Sequence, residues 1–111
     1  MSTVKLKMPN RRKPSHLTHT TIVDDNGLIK MSYHRTQVVS IDPRTNGVHL
    51  QTGGWDTVTT RKRMNQMARY YGLAFGVYRD KGQTFVHNVR PDGVKEQFEL
   101  DSQLLFTSSK E

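Results

Sequence analysis

Gly53-Gly54-Trp55-Asp56-Thr57-Val58-Thr59-Thr60-Arg61-Lys62-Arg63 brings a glycine pair, three threonine hydroxyls and three consecutive cations into one short stretch. Those residue types suit one chemistry, the holding of an anion. A helix N-terminus exposes unpaired backbone N–H groups and carries the positive end of the helix dipole, so phosphate or carboxylate binds there readily. Ordinary helices place Asp or Glu in the first turn, whereas this entry places Arg61, Lys62 and Arg63. The spacing predicts a helix over 61–71 with Thr59 or Thr60 as its N-cap. The N–H groups of residues 59–62, the hydroxyls of Thr57, Thr59 and Thr60, and the cations Arg61 and Arg63 would then grip a phosphate. Gly53 and Gly54 would let the backbone come close. The G-x-x-x-x-G-K-[ST] spacing of a nucleotide-hydrolase phosphate loop is absent.

The same helix offers a second mode of contact. Lys62, Asn65, Gln66 and Arg69 fall on the face away from the apolar stripe, and Asn, Gln and Arg are the side chains that make bidentate contacts to base edges. A plainer account also fits these residues: the threonines cap, the glycines turn, and the charged face meets water.

Other chemistry finds less support. Asp24, Asp25, Asp42, Asp80 and Asp92 sit in turn contexts, where Asp serves backbone geometry. Asp56 is the exception, placed to orient Arg61 or Arg63. No nucleophile–base pair emerges from spacing, so no enzyme and no cofactor is expected. His16 and His19 form H-x-x-H, while His34, His49 and His87 are scattered on strands. A zinc site needs three or four converging ligands, so no metal is expected. The chain has no cysteine, which removes disulfides and thiolate chemistry. Tyr78 is opposite in phase to Phe75 and Val77. An exposed ring there, beside basic residues, would stack on single-stranded bases.

The charge distribution favours a polyanionic partner. The net charge is +7, and two blocks hold all of the excess. Residues 1–19 carry Lys5, Lys7, Arg11, Arg12 and Lys13 with no acid, and residues 61–71 carry Arg61, Lys62, Arg63 and Arg69 with none. Such blocks suit nucleic acid. No apolar run is long enough for a signal peptide or a membrane span.

The elements that must position these residues follow from punctuation and periodicity. Residues 1–19 read as a basic arm broken by Pro9 and Pro14. Thr20–Val23 and Leu28–Tyr33 flank Asn26-Gly27, a strong hairpin signal. Gln37–Ile41 and Val48–Thr52 flank a Pro- and Asn-Gly-containing loop, with Val48, Leu50 and Thr52 on one face. Met64, Met67, Ala68 and Tyr71 recur at helical spacing, and Gly72 stands where a left-handed terminating residue is wanted. Leu73–Arg79, Thr84–Arg90 and Val94–Leu100 alternate as further strands. The order predicts an α+β fold, one small antiparallel sheet of hairpins packed against a single central helix with a β-β-α-β-β core. One domain is expected over residues 20–100. Residues 101–111 read as a tail that docks through Leu104, Leu105 and Phe106 and frays from Thr107.

Tyr33-His34-x-Thr36-x-Val38-Val39, then Leu50-x-Thr52-Gly53-Gly54-Trp55-x-Thr57-x-Thr59-Thr60-x-x-Arg63-Met64-Asn65-Gln66, then Tyr71-Gly72-Leu73-x-Phe75-x-Val77 resembles a family of small proteins from tailed phages and prophages. Those proteins carry a TGGW-x-T-x-TT-x-x-RMNQ block, and the resemblance covers about residues 33–86. It implies a viral protein made in the bacterial host cytoplasm. It brings no activity with it, so no catalytic residue is carried over.

Two functions are therefore expected from the sequence. The first is a non-enzymatic phage accessory protein that binds nucleic acid, DNA ahead of RNA, through Arg11, Arg12, Lys13 and the basic helix entry. The second is a host-directed inhibitor that covers an acidic surface of a host protein, in defence or host takeover, with Trp55 and Tyr78 as anchors. An unprotected sheet edge would also pair two copies.

Overall fold

A computed structural model of the chain describes residues 2–3, 19–54 and 57–110. Trp55, Asp56 and the cations Arg11, Arg12 and Lys13 lie outside the described residues. Among the described residues there are nine strands and one helix.

Asn26-Gly27 acts as the sequence predicts. Both residues take positive φ, 54° and 91°, which matches the mirror-image turn that the right-handed twist of a hairpin requires. The turn joins β2 (Thr20–Asp25) to β3 (Leu28–Tyr33), and Asp25 pairs with Leu28 across it. A short strand β1 (Ser2–Thr3) adds to the outside of β2. β4 (Thr36–Asp42) and β5 (Gly47–Gln51) form the next antiparallel pair.

A bulge sets the geometry between β3 and β4. Met31 pairs with Val39, but Tyr33 pairs with Thr36, so β4 carries one extra residue over this stretch. The phase of β4 therefore flips, and Val38 and Val39 are both buried despite being adjacent. Thr36 is thereby turned to the face that holds Tyr33.

The helix α1 (Val58–Tyr71) buries Met64, Met67 and Ala68, three of the four stripe residues. Gly72 closes it in the left-handed region, at φ 64°. The Leu73 N–H then bonds the Ala68 carbonyl at 2.8 Å. The N-terminus differs from expectation. The cap is Thr57, not Thr59 or Thr60, and its Oγ1 accepts from the Thr60 N–H at 3.1 Å. Thr57 has extended backbone, while Thr59 and Thr60 are already helical. The earlier start places Arg61, Lys62 and Arg63 in the second turn, away from the positive end of the dipole.

Strands follow the helix, yet they do not join the first sheet. β6 (Phe75–Asp80), β7 (Gln83–Val89) and β8 (Lys95–Glu99) make a separate sheet in that order. Asn65 helps keep the two apart. Its amide donates to the Val77 carbonyl at 2.9 Å and accepts from the Val77 N–H at 2.7 Å, so the free edge of β6 is occupied there. The expected single β-β-α-β-β sheet is thus replaced by two sheets, while the α+β class holds.

The segment expected to dock through Leu104, Leu105 and Phe106 docks as a strand, through Leu104 and Phe106, and it stays ordered beyond Thr107, where fraying was expected. β9 (Gln103–Thr107) pairs antiparallel with β5, giving a first sheet of order β1-β2-β3-β4-β5-β9. Leu104 and Phe106 turn inward, and the Phe106 ring meets Phe75 edge-on at 5.2 Å. Ser108 is fully buried, with its N–H on the Asn46 carbonyl at 3.0 Å. Burial of these groups fixes a segment whose sequence lacks clear alternation. The core lies between the sheets and α1, which packs on both β4 and β6.

Candidate anion-binding groove

The N-terminus of α1 meets the ends of β2, β3 and β4 at a groove of about 950 Å³. Seven of its twelve lining residues are threonines, and none is acidic. Thr57, Thr59 and Thr60 come from the helix entry, Thr52 from the end of β5, and Thr36 from the strand whose phase the bulge flips. The cap uses the N–H of Thr60, and the Thr57 carbonyl takes the N–H of Arg61 at 3.1 Å. Val58 and Thr59 supply the remaining first-turn N–H groups, so the donor set is smaller than the 59–62 run expected from the sequence.

Opposite the helix stands a pair of histidines. His19 precedes β2 and His34 sits in the turn between β3 and β4. The His34 N–H donates to the His19 carbonyl at 2.7 Å, and the two rings stack at 4.7 Å with 19° between their planes. Both residues have positive φ, 56° and 57°. A side-chain-bearing residue rarely adopts that conformation, so neighbouring structure must hold it. The Tyr33 ring lies 4.4 Å from that of His34. Arg35 follows on the same turn and is exposed.

Arg63 lies behind this wall. It is only 5% exposed. Its Nε donates to the Thr20 hydroxyl at 2.9 Å, its Nη1 donates to Gln66 Oε1 at 3.0 Å, and its guanidinium carbon sits 5.8 Å from the centre of the Tyr33 ring. All three described partners are neutral. Burial pulls the guanidinium below its ordinary pKa, with the Tyr33 phenol acting in the opposite sense. An arginine nevertheless stays charged at neutral pH. Buried charges are normally paired, because an unpaired one is costly to remove from water. Here a buried cation stands one residue behind a groove that has no acid in its wall.

The glycine pair plays a different part from the one expected. A Cβ on Gly53 would lie 2.5 Å from Thr36 Cγ2, so the close approach that Gly53 permits is to Thr36. Gly54 has open space around it and φ of 85°. Together they steer the chain from β5 into the helix cap.

The structure sorts the remaining candidates. Thr57, Thr59 and Thr60 line the groove, and Arg63 supports it from within instead of reaching out to a ligand. Arg61 is half-buried and Lys62 is exposed, both outside the groove lining. Asn65 and Gln66 are committed to Val77 and Arg63, so neither is available to read a base edge. Arg69 is exposed at the far end of the helix. Tyr78 lies on the second sheet. The sequence reading missed His19, Arg35, Thr20 and Thr21, and it gave Tyr33 and His34 no shared role. The signal for His19 and His34 lay in the Asn26-Gly27 turn, whose two-residue register pairs Asp25 with Leu28 and so brings position 19 beside position 34. No group of three or more His, Asp or Glu that could hold a metal forms among the described residues.

Searches of curated proteins and of solved structures find no match. Among the described residues, no helix is long and apolar enough to cross a membrane. The family model described as Kyanoviridae Gp96 protein matches residues 4–105, nearly the whole chain, and the chain belongs to that family of phage proteins.

Proposed function

We propose that this phage protein binds nucleic acid without catalysis or cofactor, and that the groove takes a backbone phosphate. Arg63 is the observation that carries the proposal. A buried guanidinium with neutral partners, behind a wall of hydroxyls and imidazoles, makes the groove a place where an anion completes the electrostatics. The N–H groups of Val58 and Thr59 and the Thr59 hydroxyl supply donors of the right kind, while the Thr57 and Thr60 hydroxyls bond each other at 3.0 Å. Arg35 and the His34 ring stand at the rim, where a flanking phosphate and base would meet them. DNA comes ahead of RNA, since none of these contacts calls for a 2′-hydroxyl.

A salt titration of binding to single- and double-stranded DNA tests the proposal. If about six cations neutralise phosphates, log K against log salt falls with a slope of about −5 on duplex and about −4 on single strands. A His34→Ala/Arg35→Ala variant should lose much of that affinity while melting normally. Absence of binding by the full chain at low salt would overturn the proposal and turn attention to an acidic host protein.

A further inference from the structure

The two sheets have outer edges at β1, β9, β6 and β8, and three of these are guarded. An edge strand carries unpaired N–H and C=O groups that invite another chain unless the strand is short, charged or covered. β1 is two residues long, and Asn65 occupies the edge of β6 at Val77. β8 sets Lys95, Glu96 and Glu99 along its edge. β9 has none of these devices. Its run Gln103-Leu104-Leu105-Phe106-Thr107 holds no charge and no proline, and it pairs with β5 without a bulge. The ladder decides which of its groups stay open. The Thr52 N–H bonds the Ser102 carbonyl at 2.9 Å, and the Ser108 N–H bonds the Asn46 carbonyl at 3.0 Å. Antiparallel pairs alternate, so Ser102, Leu104, Phe106 and Ser108 direct their main chain to β5, and Gln103, Leu105 and Thr107 direct theirs outward. The Thr107 carbonyl takes the Asn88 amide at 2.9 Å. The N–H and C=O groups of Gln103 and Leu105 have no partner among the described residues. A groove of about 570 Å³ runs beside this edge, with Leu105 and Phe106 on one side and Pro91 and Phe98 on the other. Leu105 is 75% exposed, more than any other large apolar side chain among the described residues.

We infer that two copies of this chain pair through β9, edge to edge and antiparallel, about a two-fold axis at Leu104. In that register Gln103 of each copy meets the partner's Leu105, and the open N–H and C=O groups of both residues bond across the axis. The exposed Leu105 side chains lie diagonally across the axis on the outer face, within reach of each other. A two-fold interface must be complementary to itself. β9 meets that demand, because a second copy brings the same open groups at the same spacing and sets no charge opposite its twin. The charge of the rest of the chain allows the approach. The excess of +7 sits in residues 1–19 and 61–71, whereas residues 72–111 hold five cations against six acids. Two copies that meet at β9 therefore meet on a segment free of the basic blocks. None of the residues lining the anion-binding groove belongs to β9, so pairing leaves that groove open and does not depend on what it binds.

The test is sedimentation velocity of the full chain, freed of nucleic acid, over a concentration series reaching the high-micromolar range. The mass should rise from 12.8 kDa towards twice that value. Leu105→Lys puts a guard on the edge and should abolish the rise. Its far-ultraviolet circular dichroism should match wild type, because the side chain it replaces is exposed. Val94→Lys changes another exposed apolar side chain, just before β8, and should pair as wild type does. Hydrogen exchange then reports on the main chain. At high concentration the Gln103 and Leu105 amides should exchange severalfold more slowly in wild type than the same two amides in Leu105→Lys, while Gln97 on β8 exchanges alike in both. A monomer at every concentration overturns the inference and leaves the edge to a strand of another protein. A dimer that Leu105→Lys leaves intact overturns it as well. Slowed exchange at Gln97 in place of Gln103 and Leu105 would move the interface to β8, and the inference falls.

Discussion

The groove and the outer face of the second sheet are built in opposite ways. The groove gathers side chains from the approach to β2, the β3–β4 turn, the end of β5 and the helix entry, so no single segment defines it. The outer face is made by one hairpin and its neighbour, with Tyr78, Phe85 and His87 placed by local register. A site assembled from distant segments is coupled to the stability of the fold, whereas a site on one hairpin surface is largely independent of it. Substitutions at the supports of the groove, Arg63 and Gly53, should therefore move stability and binding together, whereas those at the exposed His34 and Arg35 of its rim, or on the outer face of the second sheet, should leave stability nearly unchanged.

The largest expected effect is at Arg63. Arg63→Ala should destabilise the protein by about 3 kcal/mol or more, since it opens a cavity and strips partners from Thr20 and Gln66. Urea unfolding measures this directly. Arg63→Met should restore much of the stability, because apolar replacement of a buried ion is often tolerated. The same variant should lose anion affinity at the groove. Wild-type affinity in Arg63→Met would break the link drawn between the buried charge and binding.

Gly53→Ala comes next, at about 2 kcal/mol, because positive φ is strained for alanine and the new Cβ meets Thr36. Trimming the neighbour in Gly53→Ala/Thr36→Ala should recover part of the loss, and a double-mutant cycle gives the coupling. A purely additive cycle would mean that the contact with Thr36 is not what the glycine relieves. Asn65→Ala should cost roughly 1–3 kcal/mol by leaving Val77 without its two partners. Hydrogen exchange at the Val77 amide should accelerate beyond the change in global stability.

Thr57→Ala should cost about 1 kcal/mol through loss of the cap, with Thr57→Ser close to wild type. Thr59→Ala should be milder, and equal losses at the two positions would place the cap elsewhere. At the small end, Tyr78→Ala should change stability by about 0.5 kcal/mol or less. A loss as large as that of Arg63→Ala would show that the outer face of the second sheet is part of the core, and the contrast between the two regions would fail.

The turns and the helix stripe were readable because their causes are local. Asn26-Gly27 must take positive φ to close a two-residue hairpin, and Gly72 ends the helix for a similar reason. Met64, Met67 and Ala68 announce their face by spacing alone. The exposed Tyr78 likewise follows from alternation with Val77. The cap was misplaced because Thr57, Thr59 and Thr60 all have capping chemistry, and only backbone conformation chooses among them. Arg63 looked like part of a surface run of cations. Its burial depends on where the helix begins, since the start fixes which side of α1 faces Thr20 and Tyr33. The meeting of His19 with His34 follows from the register of the Asn26-Gly27 hairpin, whereas the division into two sheets depends on long-range pairing that no local pattern encodes. The family match places the chain among phage proteins, and the groove joins the helix-entry threonines to His19, His34 and Arg35.

β9 has a consequence for how the molecule assembles. It closes the first sheet against β5, yet the helix and the entire second sheet are synthesised between those two strands. The edge of β5 therefore stays uncovered on the ribosome until residues 103–107 have emerged. Non-local pairing of this kind is slow, and an unpaired strand edge is prone to misassociation while it waits. The stretch from Gly47 to Gln51 is thus a point at which newly made chains are vulnerable to one another, and Leu104 and Phe106 are the side chains whose arrival ends that exposure.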